Sequence, residues 1–218
     1  TYTISCQLTL AADQNVNNNL SADLVLDNDL PAVLPIQVPF IDYIGNNLSL
    51  TYDGWDESVT LQPISGSSFW TASTNLGSAG NVTASYNYNA GNNISYILGP
   101  KLTASFNTFI SFDLDLTESS SIIGNGAFDS DDRFSLLIST DCGFNFNEVL
   151  TFESGDLIGN ELTNFEFFLG NYESQDIIIA FMADDGVVNG SAFNLHLDNI
   201  NIFNSTQEKI AVLELVSP

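Results

Sequence analysis

Apolar and polar residues alternate strictly in several short segments of this chain. The clearest case is residues 108–116, where one face carries Ile110, Phe112, Leu114 and Leu116 and the other carries Ser111, Asp113 and Asp115. Successive side chains of a β-strand point to opposite faces, so this period predicts a strand with one face on a core and the other in water. The same pattern is found in residues 133–139, 164–169 and 192–203.

Two other features extend this prediction. Residues 176–182 are nearly all apolar, as in a strand that is covered on both faces. The phase of the alternation changes near Asp198-Asn199, which predicts a β-bulge. Gly, Asn, Ser and Asp separate the segments, and no long stretch has the period of a helix. We therefore predict an all-β sandwich with negligible helix.

The first forty residues differ from the rest. Residues 2–10 and 20–26 alternate on either side of an Asn-rich loop, and they predict a β-hairpin. Three prolines within residues 31–39 argue against a central strand and are typical of a linker. We predict three segments, 1–38, 39–205 and 206–218. The chain has no signal peptide or transmembrane run and neither end has the pattern of a natural terminus, so we expect a piece of a larger multidomain protein.

The charge balance is strongly acidic, with 27 acidic residues against 3 basic ones and a net charge of −24. Nucleic acids and anionic lipids need Lys and Arg to replace their counterions, so we predict neither nucleic-acid binding nor direct membrane insertion. Closely spaced carboxylates attract divalent cations, but the same charge also serves solubility in a salty medium. Cys6 and Cys142 are the only cysteines, and with the single His196 they do not make a zinc site.

The densest acidic cluster is Phe128-Asp129-Ser130-Asp131-Asp132. Alternate Asp residues in a loop bring oxygen ligands together at the spacing that Ca²⁺ prefers. We hypothesise a structural calcium site with Asp129, Asp131 or Asp132 as ligands and Asp198 completing it. A solvated turn is the other interpretation, since the Gly and the bidentate Glu of an EF-hand are absent.

Tyr86 and Tyr88 share one face of a predicted strand, with Asn87 and Asn89 on the opposite face. Aromatic rings stack on the apolar faces of sugars and amides bond their hydroxyl groups, so this pair is a candidate carbohydrate platform. Burial of the two rings in the sandwich is the alternative explanation.

Catalytic motifs are missing from the sequence. His196 is predicted on an outer face beside Asp198, but no Gly-x-Ser-x-Gly nucleophile elbow occurs. No pair of carboxylates is set apart by an apolar pocket, as glycoside hydrolysis needs. We assign no catalytic residue and predict that the chain is not an enzyme.

A series of short motifs follows in a fixed order after residue 48. They are Gly54-Trp55, Trp70 and residues 96–102, 109–112, 136–143, 168–172, 178–181 and 195–200. In this order they resemble the cleaved-adhesin or MAM-like jelly-roll module of Bacteroidetes-type secreted surface proteins. Residues 1–26 and 210–218 resemble strands of the immunoglobulin-like repeats that flank such modules.

The resemblance implies a jelly-roll β-sandwich preceded by a short β-hairpin of an immunoglobulin-like neighbour, in a large extracellular protein exported by type IX secretion. We expect a non-catalytic structural or adhesive module of a cell-surface stalk, filament or adhesin. Its partners would be neighbouring domains or subunits of the same assembly, or cell-surface glycans or proteins. The alternative function is a carbohydrate-binding accessory module of a secreted hydrolase or protease.

Overall fold

The computed structural model describes most of the chain. It gives the backbone of residues 2–4 and 24–26, and the residues 30–45, 48–61, 67–74, 82–89, 91–188, 190 and 192–206, apart from the side chain of Ile122. The contacts divide the chain into two units, Thr1–Leu30 and Pro31–Pro218. In the first unit β1 (Tyr2–Ile4) pairs antiparallel with β2 (Leu24–Leu26), as the alternation predicts.

Two antiparallel sheets form the second unit. The smaller sheet has five strands, in the order β11 (Asn147–Glu153), β10 (Arg133–Ser139), β13 (Asp176–Asp184), β7 (Ile94–Thr103) and β4 (Asp56–Ser58). The larger sheet has seven strands, with β12 (Thr163–Phe168), β8 (Thr108–Glu118), β14 (Phe193–Asn204), β6 (Thr83–Tyr88) and β5 (Thr71–Ser73) in order, β3 (Ile36–Val38) paired to β14, and β9 (Ser121–Asn125) paired to β8.

The predicted all-β sandwich is confirmed. Within the described residues the helices are α1 (Leu48–Thr51) and a single 3₁₀ turn at Gly170–Tyr172. Both are short because the alternating segments around them have the period of strands and offer no apolar stripe to a longer helix. No helix in the described part of the chain is long and apolar enough to cross a membrane.

The main core lies between the two sheets. The rings of Phe112 on β8 and Phe181 on β13 meet across it, with their centroids 5.1 Å apart. Trp55 and Trp70 are 2% and 0% exposed, so both tryptophans pack in the sandwich. Burial of large aromatic side chains contributes most of the apolar area that stabilises such a core.

The far side of the smaller sheet carries a second apolar cluster. Its buried members are Leu98, Leu137, Ala180 and Met182. Because Ile179 and Phe181 belong to the main core, β13 is covered on both faces, and the nearly continuous apolar run in the sequence has this cause.

The proline-rich stretch contributes to the sandwich. Ile36–Val38 forms β3 and pairs with residues 200–202 of β14, and Val38 is fully buried. The contacts divide the chain at Leu30, earlier than the boundary near residue 38 that the prolines suggested. The immunoglobulin-like origin of the first unit stays a prediction, and residues 5–23 and 207–218 lie outside the described residues.

Candidate functional site

The side of the seven-stranded sheet that faces away from the core is called the outer face. Its residues on the two central strands are Phe109, Ser111, Asp113, Asp115 and Thr117 on β8 and Asn194, His196, Asp198, Asn201 and Phe203 on β14. Each of these β8 residues pairs in register with one of the β14 residues, so the face consists of cross-strand rows. The register shift between Asp198 and Asn201, with Asn199 at φ 50°, confirms the predicted bulge.

His196 lies near the middle of the outer face, as the alternation of β14 predicts. Its Nδ1 is 3.1 Å from Oγ1 of Thr83, and its Nε2 is 3.1 Å from Oγ1 of Thr117. The imidazole is 2% exposed, and this burial lowers its pKa to about 4. The ring is therefore neutral at pH 7 and acts as a bridge between two threonine hydroxyls.

Asp115 pairs in register with His196 and is fully buried. Neither of its carboxylate oxygens has a hydrogen-bond partner. Burial and, to a smaller extent, the nearby charge of Glu161 raise the pKa of this carboxyl to about 7. Sequence reasoning missed this residue, because its place in the polar phase of β8 predicted an ordinary solvated Asp.

Two grooves open on the outer face. The histidine groove has a volume of about 400 Å³, and its lining includes Thr71, Ser73, Ser85, Thr117, Asn194 and His196. The asparagine groove has a volume of about 390 Å³, and its lining includes Gln37, Ser111, Asp113, Asn164, Asn199 and Asn201. Hydroxyl and amide side chains predominate in both, which makes the outer face rich in neutral hydrogen-bond donors and acceptors.

Several of these groups are held in place by one another. The Nδ2 of Asn87 donates to Oδ1 of Asn194 at 2.7 Å beside the histidine groove. In the asparagine groove the carboxylate of Asp113 accepts from Asn164 at 2.7 Å and from Asn199 at 2.8 Å. A ligand would therefore meet side chains whose orientation is already fixed, which lowers the entropy cost of binding.

The acidic loop 129–132 is bonded to a second loop. Asp132 accepts from the backbone N–H of Asp129 and of Gly186, each at 3.1 Å. Asp131 accepts from the N–H groups of Val187 and Val188 at 2.7 and 3.0 Å. In the part of the chain that the structure describes, no three His, Cys, Asp or Glu side chains come together as a metal-binding group. The calcium site stays a prediction.

Asp198 does not join that loop, so the prediction that it completes the cluster is wrong. The Phe128 ring that precedes the loop contacts Phe193, with centroids 5.5 Å apart. Asp198 lies farther along β14, about 16 Å from Phe193 at roughly 3.3 Å per residue. An extended strand carries it toward the other end of the sheet.

Tyr86 and Tyr88 are 0% and 1% exposed, and this contradicts the carbohydrate platform proposed for them. They point into the core, where the hydroxyl of Tyr86 donates to the carbonyl of Asn93 at 2.7 Å and that of Tyr88 to the carbonyl of Arg133 at 2.9 Å. With their rings and hydroxyls occupied, they offer no stacking surface. Of the cysteines, Cys142 is exposed with a free thiol, and Cys6 lies outside the described residues.

Comparison with known proteins gives likenesses of fold. No protein-family model matches the chain, and no curated protein matches it. The K1 cleaved adhesin domain of Lys-gingipain from Porphyromonas gingivalis W83 is similar, with 13% identity, a TM-score of 0.49 and coverage of 78% of this chain and 98% of that domain. The K3 domain of the same protein has 14% identity and a TM-score of 0.45, covering 70% of this chain and 93% of its own.

A carbohydrate-binding module is also among the similar structures. CBM27-1 of Caldicellulosiruptor saccharolyticus, in complex with mannohexaose, has 12% identity and a TM-score of 0.46 over 79% of this chain and 98% of its own. At sequence identities this low, the similarity is one of fold and says nothing about function. The function is therefore argued from the side chains of this chain.

Proposed function

We propose that this chain is a non-catalytic adhesive module of a secreted cell-surface protein, and that its ligand binds to the outer face of the seven-stranded sheet. The lining of that face carries the proposal, because both grooves are walled mainly by hydroxyl and amide side chains. These groups bond polar ligands without requiring a charge on the ligand.

The electrostatics support a neutral ligand. Arg133 bonds Asp184 at 3.0 Å and Glu148 at 3.3 Å, and Lys101 lies 4.0 Å from Asp176, so the basic side chains of the described residues are paired. With a net charge of −24, the molecule repels anionic ligands. A neutral polyhydroxylated ligand, that is a glycan, fits this surface.

The geometry around His196 supports binding rather than catalysis. A nucleophile, a base and an orienting acid act together only when hydrogen bonds join them. Both ring nitrogens of His196 are bonded to threonine hydroxyls, and neither oxygen of Asp115 is bonded to the ring. The neutral imidazole thus links β14 to both of its neighbours, β6 and β8.

The two polar grooves also favour a second candidate, a carbohydrate-binding accessory module of a secreted hydrolase or protease. Both functions use the same outer face, and they differ in what the rest of the protein does. The full-length gene product distinguishes them, since an accessory module is joined to a catalytic domain and an adhesive module to further repeats.

Calorimetric titration of the full chain with neutral oligosaccharides tests the proposal. We expect the wild type to bind and Asn194→Ala to bind about fivefold more weakly, because one lost hydrogen bond costs about 1 kcal/mol. Asn145→Ala, in the exposed turn between β10 and β11 of the smaller sheet, is the matched control and should bind like the wild type. Self-association without any glycan binding would instead favour a structural role within a stalk or filament.

A further inference from the structure

Three phenylalanines form one cross-strand row on the outer face. Register pairs Phe168 of β12 with Phe109 of β8, and Phe109 with Phe203 of β14. The ring centroids of Phe109 and Phe168 are 5.1 Å apart, and those of Phe109 and Phe203 are 6.1 Å apart with 22° between the ring planes. The rings therefore make a continuous apolar strip across three adjacent strands, which we call the phenylalanine row.

The phenylalanine row lies on the side of the sheet that is otherwise polar. Phe168 is 40% exposed, although the neighbouring Phe167 packs against the main core. A Cβ atom at Gly170 would collide with the Phe168 ring, so the glycine leaves the space in which that ring lies. Phe109 at the centre of the row is only 8% exposed and Phe203 is partly buried, so the accessible ring of the row is mainly that of Phe168. Contiguous exposed apolar surface that is rimmed by polar residues is typical of binding sites, and the phenylalanine row has such a polar rim.

The asparagine groove lies beside the phenylalanine row. Ser111 and Asn201 form the next row of the outer face, about 7 Å farther along the strands at roughly 3.3 Å per residue. Asn201 lines this groove together with Ser111, Asn164 and Asn199, so hydroxyl and amide groups lie directly next to the apolar row. Such groups donate to and accept from the hydroxyls of a polar ligand.

We propose that the phenylalanine row is a stacking subsite for a sugar ring of a neutral oligosaccharide, whose hydroxyl groups bond in the asparagine groove. This inference rests on the proposed function and names the contacts that select its ligand. One face of a sugar ring carries C–H groups that pack on aromatic rings, while the hydroxyls at its edge reach neighbouring polar groups. A purely apolar partner would cover the strip but leave the adjacent amides without partners.

The phenylalanine row and the histidine groove lie far apart on the outer face. From Phe109 to Thr117 the β8 strand extends about 26 Å at roughly 3.3 Å per residue, and the histidine groove lies at the Thr117 end. Asp115 and Thr117 are fully buried, so a ligand that reaches both sites passes over this stretch and contacts the exposed residues at either end. Such a ligand is an oligosaccharide. Longer chains are expected to bind more tightly than monosaccharides.

Phe168→Ala tests the subsite in the full chain. Titration with xylohexaose, mannohexaose and β-1,4-galactotriose should show about tenfold weaker binding than the wild type for the preferred sugar, corresponding to the loss of one aromatic stacking contact. Phe168→Trp keeps a stacking ring and should retain the affinity. Phe144→Ala is the matched control, since this ring is 74% exposed on the turn between β10 and β11. Thermal unfolding of each variant verifies that it is folded.

The outcomes separate the two proposals. Equal affinities of the wild type and Phe168→Ala would overturn the stacking subsite, while the glycan-binding role of the outer face would stand. Absence of binding to every sugar by the wild type would overturn both. Self-association that Phe168→Ala abolishes, without sugar binding, would assign the phenylalanine row to a protein contact instead.

Discussion

Asp115 and His196 lie side by side on adjacent strands, and burial moves their pKa values in opposite directions. The pKa of Asp115 rises from 3.8 to about 7, and that of His196 falls from 6.5 to about 4. Both shifts favour the neutral form of the side chain, which is the form that costs least in a buried site. The row is therefore neutral at mildly acidic pH and gains a buried negative charge as Asp115 ionises.

Asp115→Asn is expected to stabilise the protein at neutral pH. The folded state binds more protons at this site than the unfolded state between about pH 4 and pH 7, so the stability of the wild type falls as pH rises through this window. Asn does not ionise, so the stability of the variant does not fall in this way as pH rises. Its free energy of unfolding should exceed that of the wild type by on the order of 2 kcal/mol at pH 7.5, with little difference at pH 4.

Urea unfolding of both proteins across this pH range measures the difference. Asp53→Asn removes the same charge from an exposed position and is the control for net charge. A stability difference that does not change with pH would show that Asp115 has an ordinary pKa and that the variant acts through packing.

Part of the phenylalanine row could be predicted from the sequence, and part could not. Phe109, Phe168 and Phe203 all fall in the polar phase of their strands, and this misplacement was visible in the alternation. Their meeting in one row was not visible, because it depends on which strands are neighbours. The carbohydrate platform predicted for Tyr86 and Tyr88 was wrong for a related reason. Alternation shows that two residues share a face of a strand, but it does not show whether that face is turned toward the core or toward solvent.

At the scale of elements, the loop 129–132 and the segment 185–188 hold each other through carboxylate-to-amide bonds. Asp132 is 3% exposed, and its oxygens accept from two backbone N–H groups. These bonds satisfy Asp132 within the chain itself, whereas Oδ1 of Asp131 is buried without a hydrogen-bond partner. The loop is thus more buried than a solvated turn. A bound Ca²⁺ would have to share the oxygens with the amides or use other ones.

Asp132→Ala is expected to lower the free energy of unfolding by about 2 kcal/mol, because two backbone N–H groups lose their acceptor. If the carboxylates of this loop bond backbone amides and no Ca²⁺, then EDTA, which removes Ca²⁺, should leave the melting temperature of the wild type unchanged. A rise in melting temperature with added Ca²⁺ that is lost in Asp131→Asn would instead establish the calcium site.

Long strands with a strict alternation were predictable from the sequence, and so was the bulge at Asp198-Asn199. The short strand β3 was not, because prolines on both sides of Ile36–Val38 are also the signature of a linker. Only three residues pair with β14, and the alternation in so short a segment is too weak to distinguish a strand from a linker.

At the scale of the whole molecule, the position of β3 decides where the sandwich begins. A chain of residues 31–218 contains every buried core residue that the structure describes and should melt within about 2 °C of the full chain, as expected for a change below roughly 0.5 kcal/mol. A chain of residues 39–218 loses the fully buried Val38 and should melt several degrees lower. If calorimetry gave equal melting temperatures for these two chains, the sandwich would begin after residue 38, as the prolines predicted.

The apolar cluster on the far side of the smaller sheet has a consequence for valency. That side carries Leu98, Leu137, Ala180 and Met182, whereas both grooves described above lie on the outer face of the larger sheet. Under the proposed function, each copy therefore attaches through its outer face, which points in one direction. A parent protein would reach high avidity by displaying several copies with these surfaces turned toward the same target, at spacings set by its linkers.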